Sequence, residues 1–317
     1  MHVILLASLL LVQDTVRFTP TVQQPTFAVR DPVARIKSGT VLVSKTHFGP
    51  YYSEQGGAFP GEVGPFYVEG ATTHDMLKVE IIRVRPNSRY AASQVYSDFG
   101  GLATDTHVRL LNEPIKARRY LWQLDTVRMV GSVDMPNSRV RRMEIDLKPM
   151  LGRVAVAPRG AEQFAGLWPG DFGGNMDAPE VSVGNTLYLP VNVEGALLYM
   201  GDGHAAMGDG EVAGTAIEAP LRGRLQLDVI KGQKINWPRF ENDHAIMAVG
   251  IYRPLDDALR IAFTELVGWI HHDYGLSELD AYELLSKVAK IHLDEMVDPN
   301  YVIVASIEKK YLPPKKK

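Results

Sequence analysis

The sequence contains no cysteine. That excludes disulfides, cysteine-ligated zinc and thiol nucleophiles together. Any metal must therefore be held by His nitrogen and by carboxylate or carbonyl oxygen. An excess of one charge is also missing. Lys and Arg number 34 against 37 Asp and Glu, for a net charge of −3. No basic stripe marks a nucleic-acid footprint, and none is expected as a partner. Long apolar runs are scarce. Val3–Val12 is largely apolar but well short of the roughly 20 residues that span a bilayer, so no membrane span is expected. It fits the apolar region of a signal peptide, and export to the periplasm or medium is the expectation. Two features count against that reading: no Lys or Arg precedes the run, and no A-x-A cleavage site follows it. The alternative is a buried first strand.

Familiar catalytic signatures are absent as well. There is no G-x-S-x-G elbow, no Walker A loop and no H-E-x-x-H. Gly201, Gly203 and Ala206 spell G-x-G-x-x-A after an apolar strand. A second Gly-Asp-Gly at 208–210 then occupies the place where a dinucleotide-binding helix would run. An EF-hand loop fails too, because His204 and Ala206 fall where calcium-binding oxygens belong.

What is present is a chain of 317 residues, 45% hydrophobic and 22% charged, enough for one large domain with a sizeable core. Short alternating segments run from Phe27 to about residue 253. They include Met76–Val84, Arg118–Val130, Val140–Leu147, 152–158, 185–193, 196–200, Leu221–Ile230 and Ala245–Tyr252. The period then changes. Leu255, Ala258, Leu259, Ala262, Phe263, Leu266, Val267 and Ile270 predict an amphipathic helix ending at Gly275. Ser277 with Asp280 opens a second helix, and "YVIVASI" is a final strand. The expected class is α+β, predominantly β, with a β-sandwich-like core and a smaller C-terminal α+β portion. The expected organisation is a leader over 1–20, a β-rich catalytic region over 21–253, helices and a last strand over 254–312 on the same domain, and a disordered Lys-rich tail over 313–317.

The chemistry concentrates in "GDGHAAMGDGEVAGTAIE", Gly201–Glu218. Asp202 and His204 stand two apart, so a strand would project both from one face. Asp209 and Glu211 repeat the spacing, and the glycines keep the backbone uncrowded. Asp177, in "GGNMD", adds a further donor. A few His and carboxylate ligands with one open position describe a catalytic zinc-type site. The plainer reading is that Asp and Gly are simply frequent in turns. It accounts for the Asp-Gly pairs better than for His204 and Glu211. The loop at 49–65, with Tyr51, Tyr52, Glu54 and Glu62, is either a cover for a pocket mouth or an ordinary surface loop. His271 and His272 read as helix-end cations, and Trp237 as core.

At these residues the chain resembles the acetamidase/formamidase family of amide hydrolases. The resemblance runs through "GPFYVEGA" (64–71), "LKPMLGRVAVAP" (147–158), "GGNMD" (173–177), the stretch 187–218, "WPRFE" (237–241) and "MVDPNYVIVASIEKKYL" (296–312). It implies a β-rich fold, hydrolysis of a small linear amide to a carboxylate and ammonia, and a divalent metal, with zinc favoured and calcium as a second ion. Carried over by position, the site is Asp177, Asp202, His204, Asp209 and Glu211. Asp177, Asp202 and His204 are expected to hold the metal. Glu211 and Asp209 are expected to be catalytic, with Glu211 moving the proton from water to the departing nitrogen. Glu218, Glu69 and Asp75 are candidates for supporting these groups or a second ion, and Met207 and Asn175 for lining the substrate pocket. A homo-oligomer, dimer or higher, is expected. The alternatives are an exported hydrolase of a larger amide, or a non-catalytic, metal-stabilised β-sandwich that binds a ligand. The chain departs from the family pattern at Met207, where Gln is common. It departs again at Thr72-Thr73-His74-Asp75, where Pro-Gly-Asp is common.

Overall fold

In the computed structural model, which describes residues 14–46, 60–103 and 115–316, the strand Ala245–Tyr252 is apolar on both faces. Met247, Val249 and Ile251 enter one core, while Ile246 and Ala248 enter another. Its antiparallel neighbour Tyr301–Glu308, paired from Ala245↔Glu308 to Tyr252↔Tyr301, divides in the same way. Val302 and Val304 face the first core, and Ile303, Ala305 and Ile307 the second. Successive side chains of a strand alternate between faces, so both faces of this sheet must be covered.

Helices cover one face. Helix α1 (Leu255–Tyr274) buries Ala258, Ala262, Leu266 and Ile270, each of the two larger side chains contributing about 1.5–3 kcal/mol. Gly275, at φ 80°, ends it, and its N–H bonds the His271 carbonyl. Helix α2 (Glu278–Val288) starts at Ser277, whose side chain accepts from the Asp280 N–H. Gly250 lets α1 come close. A Cβ there would overlap the Ala258 carbonyl oxygen and lie 2.7 Å from the Ala262 nitrogen.

A second sheet covers the other face. Among the described residues, nine strands form the first sheet, in the order Thr15–Arg17, Thr40–Lys45, Leu221–Ile230, Met76–Pro86, Thr186–Pro190, Arg239–Glu241, Ala245–Tyr252, Tyr301–Glu308 and Lys290–Glu295. Six form the second: Pro169–Gly170, Gly173–Asn175, Met150–Ala155, Leu198–His204, Val63–Glu69 and Ala34–Lys37. Leu77, Val79 and Leu225 of the first sheet share a core with Leu151, Val154 and Leu198 of the second. The fold is therefore predominantly β: two large packed sheets with a helical layer outside one of them, together with a four-stranded and a two-stranded sheet among the described residues.

Three expectations are revised. Arg118–Val130 is not one strand but a hairpin, Arg118–Asp125 and Val130–Asp134. Asp125 breaks it, because its Oδ1 accepts the N–H groups of Val127 and Arg128. The described part of the expected leader belongs to the sheet, since Thr15–Arg17 pairs in parallel with Val41–Val43. Of the C-terminal lysines, Lys315 and Lys316 are seated rather than loose. Lys315 pairs with Glu241 at 3.0 Å, and Lys316 donates to the His271 carbonyl at the end of α1, where cations are favoured. The apolar run 3–12 and loop residues Tyr51, Tyr52 and Glu54 lie outside the described residues. Among the described residues, no helix is long and apolar enough to cross a membrane.

Candidate active site

The site is built where three strands of the second sheet meet. Met150–Ala155 is the middle one. It pairs with Leu198–His204 on one side (Met150↔His204, Arg153↔Gly201) and with Gly173–Asn175 on the other (Arg153↔Asn175). Asp202 and His204 project together from their strand, as the two-residue spacing predicts. Just past Asn175, the Asp177 N–H bonds the Gly152 carbonyl. That bond brings the Asp177 carboxylate over the same strand.

Four carboxylates surround one imidazole nitrogen. His204 Nε2 lies 3.4 Å from Glu218 Oε1, 3.5 Å from Asp202 Oδ2, 3.7 Å from Asp177 Oδ1 and 3.8 Å from Glu211 Oε1. Glu218 arrives through a bridge to His204, and Glu211 from the turn at 208–214. All five side chains are buried. Asp177, Asp202 and Glu211 hold left-handed backbone, at φ 44°, 50° and 42°. This is a conformation that non-glycine residues adopt at some energetic cost, and it clusters at functional sites.

Gly152 forms the floor. A Cβ there would overlap Asp177 Oδ1 and lie 2.9 Å from both Asp202 Oδ2 and His204 Cε1. Three donor groups thus converge on a point that only glycine leaves open. Neither ring nitrogen of His204 has a hydrogen-bond partner among the described residues, nor do Asp177 Oδ1, Asp202 Oδ1 and Glu218 Oε2. Buried polar atoms are rarely left so.

Behind this group lies a second tier, in which the sequence reading names Asn175 and Glu62 but not Arg153, Glu295 or Asp298. Arg153 is buried, donates to Glu62 Oε1 at 3.1 Å and to Asn175 Oδ1, and lies 3.4 Å from Asp202 Oδ2. Asn175 in turn donates to Asp177 and Asp298. Glu295 accepts the Asp298 N–H at 3.0 Å. Glu62, Asp177, Asp202, Glu211, Glu218, Glu295 and Asp298 are all buried. Seven carboxyls therefore share one guanidinium and one imidazole.

Their ionisation follows from that crowding. Burial pushes Asp177 up, and Glu211 and Asp202 add to it. Glu211 is raised by burial against the pull of His204. Burial and Asp202 carry Glu218 up to about 8, and burial takes Glu62 to about 7 despite Arg153. Asp202 goes the other way. Burial works to raise it, but Arg153 and His204 hold it below the usual carboxylate range. Burial disfavours a charged His204, but Glu218 and Asp202 outweigh this and push it up to about 10. In the absence of any other cation, the imidazole carries the balancing proton.

These groups open onto a cavity of about 330 Å³, the small end of ligand pockets. Tyr96, Phe99 and Leu167 supply apolar wall, and Asn175, Asp202, Glu211 and Glu218 the polar end. A larger groove of about 1050 Å³ lies between the first sheet and α1, lined by residues such as Tyr188, Arg239 and Trp269, and contains none of the cluster.

The structure thus brings together Asp177, Asp202, His204, Glu211, Glu218 and Asn175. It does not bring in four other expected residues. Asp209 is exposed and pairs with His292 at 3.1 Å, since the turn that buries Glu211 points its i−2 neighbour outward. Glu69 is exposed at a strand end. Asp75 is buried, but its partners are Thr72, Lys231 and Gly232. Met207 does not line the cavity of about 330 Å³ but a neighbouring cleft of about 610 Å³ that shares Glu211 and Thr215 with it. His74 is exposed, and Trp237 packs against the core. Of the missed residues, Arg153 carried a readable signal, as a lone charge inside an apolar strand pattern.

A solved acetamidase of Yersinia enterocolitica aligns with a TM-score of 0.84 at 32% identity, covering 93% of this chain and 92% of that one. The chain belongs to the acetamidase/formamidase family. The profile of the Acetamidase/Formamidase family matches residues 155–311. That match takes in Asp177 and Asp202 through Asp298 but leaves out Glu62 and Arg153. An acetamidase of Bacillus halodurans is similar at 27% identity and a TM-score of 0.78, over 93% of this chain and 98% of that one. A Schizosaccharomyces pombe protein assigned as a formamidase is 26% identical over 196 residues, 47% of this chain. The match spans 46% of the length of that curated relative, less than half.

Proposed function

We propose that the chain hydrolyses the C–N bond of a small linear amide, of the formamide or acetamide kind, to a carboxylate and ammonia. The observation that carries this reading is the convergence of Asp177, Asp202 and His204 on the point left open by Gly152, with Asp202, Glu211 and Glu218 of the same cluster lining a cavity of about 330 Å³. Family membership and the names of the similar proteins support it.

The residues fit a divalent cation, zinc most naturally. Oxygen and imidazole nitrogen are its ligands in cysteine-free sites, the ring nitrogens and three carboxylate oxygens lack partners, and the seven carboxyls need positive charge. Asp177, Asp202 and His204 would hold it, and it would supply Lewis acidity and a water of lowered pKa. His204 would then be neutral, its proton replaced by the cation.

The chain's own groups do the rest. The apolar wall of Phe99 and Leu167 seats the acyl group and keeps bulk water from the reacting carbon. Glu211 stands on the cavity side of His204 with its carboxyl raised by burial, which suits it to accept a proton from water and return it to nitrogen. Without a cation, burial and Asp202 raise Glu218 to about 8, so it holds a proton at neutral pH in the metal-free chain. Arg153 and Asn175 fix the orientation of Asp202 and Asp177.

The test is ammonia release from formamide, acetamide and propionamide by the chain as purified, after chelation, and as His204→Ala, with bound metal counted in each. Turnover that tracks metal content and is lost in His204→Ala supports the reading. Full turnover by metal-free protein would sink it. A metal-loaded chain that hydrolyses none of the amides would favour a non-catalytic binding role.

A further inference from the structure

We infer that the chain holds a second divalent cation outside the cavity, between Asp209, His292 and Asp294. One ligand atom from each of the three lies within 4.8 Å of the others. His292 Nδ1 and Asp209 Oδ2 are 3.1 Å apart. Proximity of acids is not itself a site; what points to a ligand is Asp294. It has 0% exposure, and neither of its carboxylate oxygens has a hydrogen-bond partner among the described residues. Glu180 faces it, with its own Oε2 buried and unpartnered. Asp294 and Glu180 stand face to face, so the pair needs either a shared proton or a shared cation, and Asp209 and His292 beside it complete a ligand set for the cation.

The backbone is arranged to aim these groups. The ladder between Lys290–Glu295 and Tyr301–Glu308 shifts register between Leu293 and Glu295, leaving Asp294 as the extra residue. Bulges of this kind redirect a side chain. The bulge turns the Asp294 side chain so that a carboxylate oxygen comes within 4.8 Å of a ligand atom of His292. Asp209 comes from the 208–214 turn, which is tied to this strand by the Gly210 N–H bonding the Asp294 carbonyl at 2.9 Å. Two carboxylates and an imidazole suit a zinc-type ion better than magnesium or calcium, which prefer all-oxygen shells. The ion clamps the turn carrying Glu211 to the strand carrying Glu295, so it is a positioning device for the cavity rather than part of the chemistry.

The experiment uses the whole chain, stripped with chelator and dialysed against Zn²⁺ alone, with zinc counted per chain. Wild type takes up two equivalents. The double variant Asp209→Asn/His292→Ala takes up one, and His204→Ala takes up one. Both altered side chains of the double variant are largely exposed, and circular dichroism of each variant confirms its fold. The double variant's remaining zinc has unchanged affinity, while the zinc it has lost cannot be restored at a tenfold higher zinc concentration. A double variant that keeps the wild-type count overturns the inference. So does a wild type whose only zinc is the one removed by His204→Ala. If wild type instead binds a single zinc, lost in the double variant and kept in His204→Ala, the outer site stands and the inner one falls.

Discussion

Gly152→Ala adds one methyl group to the floor of the site and nothing else. Gly152 does not use a left-handed backbone, so alanine meets no conformational barrier there. The methyl carbon would overlap Asp177 Oδ1 and stand 2.9 Å from Asp202 Oδ2 and His204 Cε1, well inside the 3.5–4.0 Å of ordinary carbon contacts. Each of those groups is anchored: Asp177 and Asp202 by Asn175 and Arg153, His204 by its strand. They cannot swing away cheaply. Overpacking of a rigid interior costs about 1–3 kcal/mol. If Asp177, Asp202 and His204 hold a cation as proposed, the methyl takes its place, and a loss of about 10–100-fold in metal affinity is expected, like that of removing a supporting ligand partner. Displacing reacting groups by about 1 Å is worth roughly 100-fold in rate, so kcat/KM for acetamide should fall by at least that much. The assays are zinc content after dialysis, ammonia release and a thermal melt. Gly268→Ala in α1 is the control, because a Cβ there meets nothing within 4 Å; it should raise stability by about 0.5–1 kcal/mol and leave zinc and rate unchanged. A Gly152→Ala protein with wild-type zinc and a rate within about twofold of wild type would refute the reasoning.

Three further outcomes follow from the same arrangement. Metal-free protein should lose stability as pH rises from about 5 to 8. Glu62 and Glu295, raised to about 7, and Glu218, raised to about 8, keep protons in the folded state that the unfolded chain has released. Raising one carboxyl from 4.5 to about 7 corresponds to about 3 kcal/mol over that window. Urea midpoints in chelator that are flat or rise with pH would contradict it. Arg153→Leu should destabilise the chain by about 3–5 kcal/mol, because Glu62 and Asp202 lose their buried counter-charge, and the loss should be smaller at pH 5, where those carboxyls can protonate; an equal loss at pH 5 and 8 would count against the charge argument. Asp75→Ala should cost about 2–4 kcal/mol at pH 7, since it removes charge-assisted bonds from Lys231 and from Thr72 and Gly232. Those bonds hold Asp75 below the usual carboxylate range, so the difference should be complete above the unfolded value near 4 and shrink as pH falls below it. A difference that grows in acid would reverse the sign.

The sequence carried the parts of this protein that local periodicity and spacing encode. Strands such as Leu221–Ile230 and Ala245–Tyr252 alternate strongly, and α1 and α2 end on the residues that cap them. Asp202 and His204 share one strand, so their common face was readable. The turn residues were not. Asp209 and Glu211 have the same spacing, yet the backbone at Glu211 is left-handed and sends the two side chains to opposite sides of the turn. Glu62, Glu295 and Asp298 reach the site from far along the chain, through pairings that no local pattern specifies. The loop holding Glu62 reads equally as a cover for a pocket mouth or as a surface loop, and neither reading foresees that the Glu62 side chain is fully buried against Arg153.

Those long-range pairings set the order of events in folding. Arg153 meets Glu62 across 91 residues, and Asn175 meets Asp298 across 123. During synthesis the acid-rich stretch 201–218 emerges well before the strand that supplies Glu295, and contacts of such separation form late. The nascent chain therefore carries a string of carboxylates with no enclosure around them. Glu295 and Asp298 can close the cluster only after the strand Lys290–Glu295 has docked, so the complete enclosure of these carboxyls reports that the chain has folded at least that far.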